Sequence, residues 1–153
     1  MNKIALIIPY FTAYPPIWLN LNFYSCSKQS NIDFIYFTDC DEIIHLASKY
    51  SNIICHKISF EEYCDNVSKH LKVDFHPEHA YKLCDLKPFY GFIHQDILEQ
   101  YDFWGYGDND LVYGNLEVLT SDNMLNSYDV ITTMSERIAG HFAIFRNNEK
   151  YRT

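Results

Sequence analysis

Lys3-Ile4-Ala5-Leu6-Ile7-Ile8 carries, from Ile4 onward, an unbroken apolar and largely β-branched run that stops at Pro9. A run without polar alternation suits a strand covered on both faces, so it reads as the first, central strand of a parallel sheet. After a loop from Tyr10 to Tyr14, Pro15-Pro16 can open a helix, because the first helical position needs no amide donor. Ile17, Leu19, Leu21, Phe23 and Tyr24 give that helix its apolar cover, and it should end between Ser27 and Asn31. Ile32-Asp33-Phe34-Ile35-Tyr36-Phe37 is then a second strand, with Thr38-Asp39 at its carboxyl end.

The alternation continues outward. Ile53 to Ile58 reads as a third strand, and Ser59-Phe60-Glu61-Glu62 has the spacing of a capping box that starts a helix from Phe60 to Leu71. His76 to His79 reads as a loop, Ala80 to Leu86 as one or two helical turns, and Pro88 as the start of a further helix through Leu98. Tyr101-Asp102-Phe103-Trp104-Gly105-Tyr106 returns as a short aromatic strand. Asp129 to Thr133 and His141 to Phe145 are two more strand candidates. Strands alternating with helices predict an α/β fold, a mostly parallel sheet with helices on both sides, in a single domain over 1–153.

Composition narrows the function. The net charge of −8 and the absence of a basic cluster argue against nucleic-acid binding, since the phosphate backbone would be repelled. Five cysteines, an odd number without C-x-x-C spacing, read as buried thiols in a reducing compartment rather than a zinc site or disulfide frame. The Ile4 to Ile8 run is too short to cross a membrane and no signal-peptide pattern follows it, so a cytoplasmic protein is expected, with peripheral attachment at the inner face of a membrane left open. His76 and His79 have a zinc-like spacing, yet no further ligands follow at usable distances.

The chemistry concentrates at Asp108-Asn109-Asp110, which follows the aromatic strand and precedes Leu111-Val112-Tyr113-Gly114. Two carboxylates one residue apart on a turning backbone can face one ion, as hard oxygen ligands for Mg or Mn. Such an ion stabilises the charge that builds on a departing diphosphate. By spacing alone the triplet is more often a solvated turn, with Asp and Asn side chains bonding nearby amides. Its position after several βα units, at the edge where open α/β sheets bind ligands, favours the functional reading.

Several segments together resemble a bacterial GT-A glycosyltransferase family of the surface-polysaccharide and capsule type. They are Ile7 to Phe11, Phe37-Thr38-Asp39, Tyr81 to Pro88, Tyr101 to Tyr106 with Asp108-Asn109-Asp110, and Gly140-His141-Phe142 with Arg146-Asn147-Asn148. The resemblance spans nearly the whole chain and implies a GT-A, Rossmann-like fold for nucleotide-diphospho-sugars. It implies that Pro9, Tyr10 and Phe11 lie beside the base and ribose of a UDP-sugar donor, with Thr38 and Asp39 completing the base pocket. Lys82 would then stand near the diphosphate and Asp85 near the donor sugar, although by spacing alone the two are an exposed ion pair on one helix face. Asp108 and Asn109 would contact the donor, and Asp108 and Asp110 would hold the metal, with Asp110 as direct ligand. His141 is a candidate catalytic residue or a strand-start residue with a satisfied hydrogen bond. The expected reaction is transfer of a sugar to a saccharide acceptor with a Mn or Mg ion. The family's acceptor half would follow the chain's last residues, so a chain shortened at its C-terminus is expected. Readings from other classes are a non-catalytic nucleotide-sugar-binding or interaction domain and a metal-dependent phosphohydrolase.

Overall fold

In the computed structural model, which describes residues 2–152, the opening apolar run is strand β1, Ile4–Pro9. Met1 and Thr153, the ends of the expected domain, lie outside the described residues. The next strands are β2 (Ile32–Thr38), β3 (Ile53–Lys57), β4 (Phe103–Gly107), β5 (Val130–Thr132) and β6 (Phe142–Arg146). They form one six-stranded sheet in the order β3-β2-β1-β4-β6-β5. β1 pairs in parallel with β2 and with β4, and β2 with β3, while β6 runs antiparallel to both β4 and β5. The fold is therefore α/β with a mostly parallel, mixed sheet flanked by helices, compatible with a Rossmann-like arrangement.

Both faces of β1 are covered, as its lack of alternation requires. Ile4, Leu6 and Ile8 pack with Leu19 and Phe23 of α1 (Leu19–Cys26) and with Ile43 of α2 (Asp41–Ala47). Ala5 and Ile7 face the other way, toward Tyr63 and Val67 of α3 (Phe60–Leu71) and toward Leu83, Leu86 and Tyr90. The capping box forms as expected, with the Ser59 hydroxyl accepting from the Glu62 amide and the Glu62 carboxylate accepting from the Ser59 amide.

Four local expectations change. The first helix starts at Leu19 rather than at the Pro15-Pro16 pair, with a turn between them. Residues 41–47, for which no element was expected, form α2. The helical turns expected from Ala80 extend through Pro88 as one 3-10 stretch, Ala80–Phe89, and regular α-helix begins not at Pro88 but at α4 (Tyr90–Ile93). His94 then separates α4 from α5 (Gln95–Leu98), where one continuous helix was expected. Of the five cysteines, Cys26, Cys40 and Cys64 are buried, Cys55 is half-buried and Cys84 is exposed, so the expectation of buried thiols fails at Cys84. Among the described residues, no helix is long and apolar enough to cross a membrane.

Candidate functional site

The chain runs outward from β1 to β2 to β3 and then returns to the other side of β1 as β4. In an open α/β sheet such a reversal leaves a crevice beyond the carboxyl ends of the two strands flanking it, here β1 and β4. Pro9 widens it. Ile4 and Tyr10 direct their amides at the β2 side, to the carbonyls of Asn31 and Phe37, so by alternation Ala5, Ile7 and Pro9 turn toward β4. Pro9 has no amide to give, and the β1–β4 ladder stops at Ile7 and Tyr106 while the β1–β2 ladder continues to Pro9 and Phe37.

A cleft of about 570 Å³ occupies this position, lined by Pro9, Tyr10 and Phe11 after β1, by Lys87 and Tyr90 from the segment beside it, and by Asp108-Asn109-Asp110 after β4. A second hollow of about 650 Å³ adjoins it through Phe11 and Ala80 and extends past the end of β2, where Asp39, Asp41, Glu42 and Glu78 stand on its wall.

Asp108 is held from three directions. Its amide donates to the His141 carbonyl at 3.0 Å, its carbonyl accepts from the Tyr113 hydroxyl at 3.0 Å, and its carboxylate Oδ1 accepts from Lys87 Nζ at 2.5 Å. Lys87 Nζ also donates to the Gly140 carbonyl at 2.6 Å and lies 5.4 Å from the centre of the Tyr106 ring. Burial, and then the negative charge of Asp108, raise the Tyr106 phenol above its ordinary pKa. It stays a neutral donor, bonded to the Ala139 carbonyl at 3.1 Å. Asp110, by contrast, is exposed, with no hydrogen bond or ion pair among the described residues. Asn109 lines the same cleft as its neighbours, and its Nδ2 is buried without a hydrogen-bond partner among the described residues.

Some expected site residues fall elsewhere. Thr38 is fully buried and its hydroxyl accepts from the Cys40 amide at 3.2 Å, so it shapes the turn after β2 and has no face toward a base; Asp39 alone reaches the adjoining hollow. Lys82 and Asp85 are exposed, pair with each other at 3.0 Å, and are absent from the lining of either hollow. His141 turns its Nε2 to the Thr133 hydroxyl at 2.9 Å and serves Asp108 through its main-chain carbonyl. Among the described residues lining the cleft, the Lys or Arg is Lys87, not the Lys82 that the resemblance implied. The signal was present only as the place of Lys87 in the Tyr81 to Pro88 stretch.

Among the described residues, no group of three or more His, Cys, Asp or Glu converges as a self-sufficient metal cage. His76 approaches Asp74 and Asp65 at 3.5 and 3.7 Å, but on the surface and with Nε2 alone. Mg and Mn need no such cage when a substrate phosphate supplies part of the shell, and one or two carboxylates suffice. The unpaired Asp110 carboxylate and the remaining oxygen of Asp108 fit that kind of partial site.

A family model described as a family of unknown function (DUF6625) matches residues 6–153. No curated protein and no solved structure matches the chain.

Proposed function

The chain belongs to the DUF6625 family, and from that premise we propose that it is a glycosyltransferase of the GT-A kind that binds a UDP-sugar in the crevice between β1 and β4 and passes the sugar to a saccharide acceptor. The observation that carries this reading is the Asp108-Asn109-Asp110 turn opening, together with Lys87, onto a cleft at the reversal point of the sheet. A hollow of this size with few convergent charged groups is the usual form of a small-ligand site.

The distribution of charge orients the ligand. Asp39, Glu42 and Glu78 on the wall of the adjoining hollow repel phosphate, while Asp41 beside them is paired with Lys57 at 2.6 Å, so the diphosphate lies toward Lys87 and the base toward Phe11 and Asp39. Carboxylates there accept from base N–H groups, and the N3–H of uracil suits such a wall. Phe11, tilted against Phe60 at 5.4 Å between ring centres, offers an aromatic surface at the junction of the two hollows. Tyr10 and Pro9 line the stretch between base and phosphates.

Asp110 and Asp108 would hold a Mn or Mg ion, which when bound supplies Lewis-acid stabilisation of the departing diphosphate. Lys87 contributes a fixed positive charge within the same cleft and replaces Lys82 in the role that the resemblance suggested. Synthesis of cell-surface polysaccharide is the setting that the resemblance favours. Incubation with UDP-sugars tests the enzymatic reading: release of UDP that rises with Mn and stops with a chelator is expected. A complete absence of hydrolysis or transfer by a chain that binds UDP would reduce the protein to a nucleotide-sugar-binding domain.

A further inference from the structure

Lys87 occupies one oxygen of the carboxylate that a divalent cation would use. Its ammonium lies 2.5 Å from Asp108 Oδ1 and 2.6 Å from the Gly140 carbonyl, and its side chain is only 15% exposed. The Gly140 contact, 53 residues away in sequence, keeps the ammonium from swinging into solvent. With Asp108 engaged in this way, Lys87 cancels one of the two negative charges of the Asp-x-Asp turn and repels a second cation at close range. That repulsion is strengthened because the ammonium is largely withdrawn from water. A diphosphate changes the balance, since it adds negative charge and offers acceptor oxygens to the ammonium.

Resting on the functional reading above, we infer that Lys87 makes cation loading conditional on the diphosphate. The site holds off a free divalent ion and takes it together with the nucleotide. Linkage requires the effect to be reciprocal, so the nucleotide gains from the cation by the same factor that the cation gains from the nucleotide. Lys87 is in this account a positioning residue that sets the order of loading, apart from any part in the transfer step.

Electron paramagnetic resonance of free Mn, titrated with the whole chain in the presence and absence of UDP and corrected for chelation by UDP itself, reads the coupling without any turnover. In the wild type, saturating UDP should tighten Mn binding at least about tenfold. Lys87→Met should bind Mn alone at least about tenfold more tightly than the wild type and lose most of the UDP effect. Lys87→Arg, which keeps the charge, should retain the wild-type pattern, and so should Lys69→Met, an equal charge change at an exposed position near the far end of α3. Unchanged or weaker Mn binding by a Lys87→Met chain that melts like the wild type overturns the inference. Equal Mn affinity of the wild type with and without bound UDP overturns it as well, and needs no variant. Failure of the wild type to bind UDP with Mn at all removes the functional reading beneath it, a different result from UDP binding without coupling.

Discussion

The Tyr113 hydroxyl donates to the main-chain carbonyl of Asp108 at 3.0 Å, across the turn that carries the two aspartates. It reaches that carbonyl through the space a Cβ at position 107 would fill: a side chain at Gly107 would meet the hydroxyl itself. The glycine at the end of β4 is thus a condition for the shape of the turn, and the buried Tyr113 ring, resting on Phe34 and Phe142, anchors the hydroxyl.

From this contact, Gly107→Ala should destabilise the fold by about 1–3 kcal/mol through overpacking and weaken UDP binding with Mn. Tyr113→Phe should cost about 1 kcal/mol through the lost hydrogen bond. The double variant, in which the methyl meets no hydroxyl, should be more stable than Gly107→Ala alone, a coupling that urea melts of the four proteins read directly. Additive losses would show that the two groups do not compete for the same space.

Lys82 and Lys87 divide between a surface pair and a cleft. Among the described residues the Lys82 ammonium pairs only with Asp85, and both side chains are more than 60% exposed, so Lys82→Ala should change stability by no more than a few tenths of a kcal/mol and UDP affinity by less than about twofold. Lys87→Ala should lower UDP affinity in the presence of Mn at least about tenfold. Calorimetry on the two variants distinguishes them, and a large loss from Lys82→Ala would return that residue to the site.

His94 makes the fold acid-sensitive. Burial, then the neighbouring His70 and His56, push its pKa down from 6.5 to about 3. The neutral ring bonds the Tyr63 hydroxyl at 2.8 Å and stacks on Phe37 with ring centres 4.4 Å apart. A base whose folded pKa is depressed takes up a proton in the unfolded chain first. Its contribution is therefore complete above 6.5 and is lost progressively as pH falls toward 3, on the order of a few kcal/mol in all. Urea midpoints should fall between about pH 7.5 and pH 5 in the wild type, and fall less in His94→Gln, which keeps a partner for Tyr63. Equal slopes would mean that other groups carry the acid limb.

The strands were legible because each is a short apolar run bounded by turn residues, and the both-sided burial of β1 follows from its lack of alternation. The helix at 41–47 was hidden because Cys40 precedes it as N-cap without a side-chain bond, and only Ile43 and Ala47 are buried. The 3-10 geometry of 80–89 matters more for the site. Helical spacing on the page draws Lys82 and Asp85 together, and so they pair, but nothing local reveals that Lys87 meets a carboxylate 21 residues on and a carbonyl 53 residues on. The Asp-x-Asp turn was legible as chemistry; its engagement by Lys87, Tyr113 and the His141 carbonyl is a product of tertiary packing. Thr38, which the resemblance places in the base pocket, is hidden in the same way, since the turn it begins consumes its hydroxyl.

Calorimetric titration of UDP into the wild type and Asp110→Ala, each with Mn and with a chelator, tests the central claim most directly. Asp110 is exposed and without hydrogen bond or ion pair among the described residues, so its truncation should leave the melting curve unchanged. The account predicts Mn-dependent UDP binding in the wild type and a loss of at least about tenfold in Asp110→Ala, with the chelator erasing the difference between them. Equal UDP binding by the two proteins in the presence of Mn would contradict it.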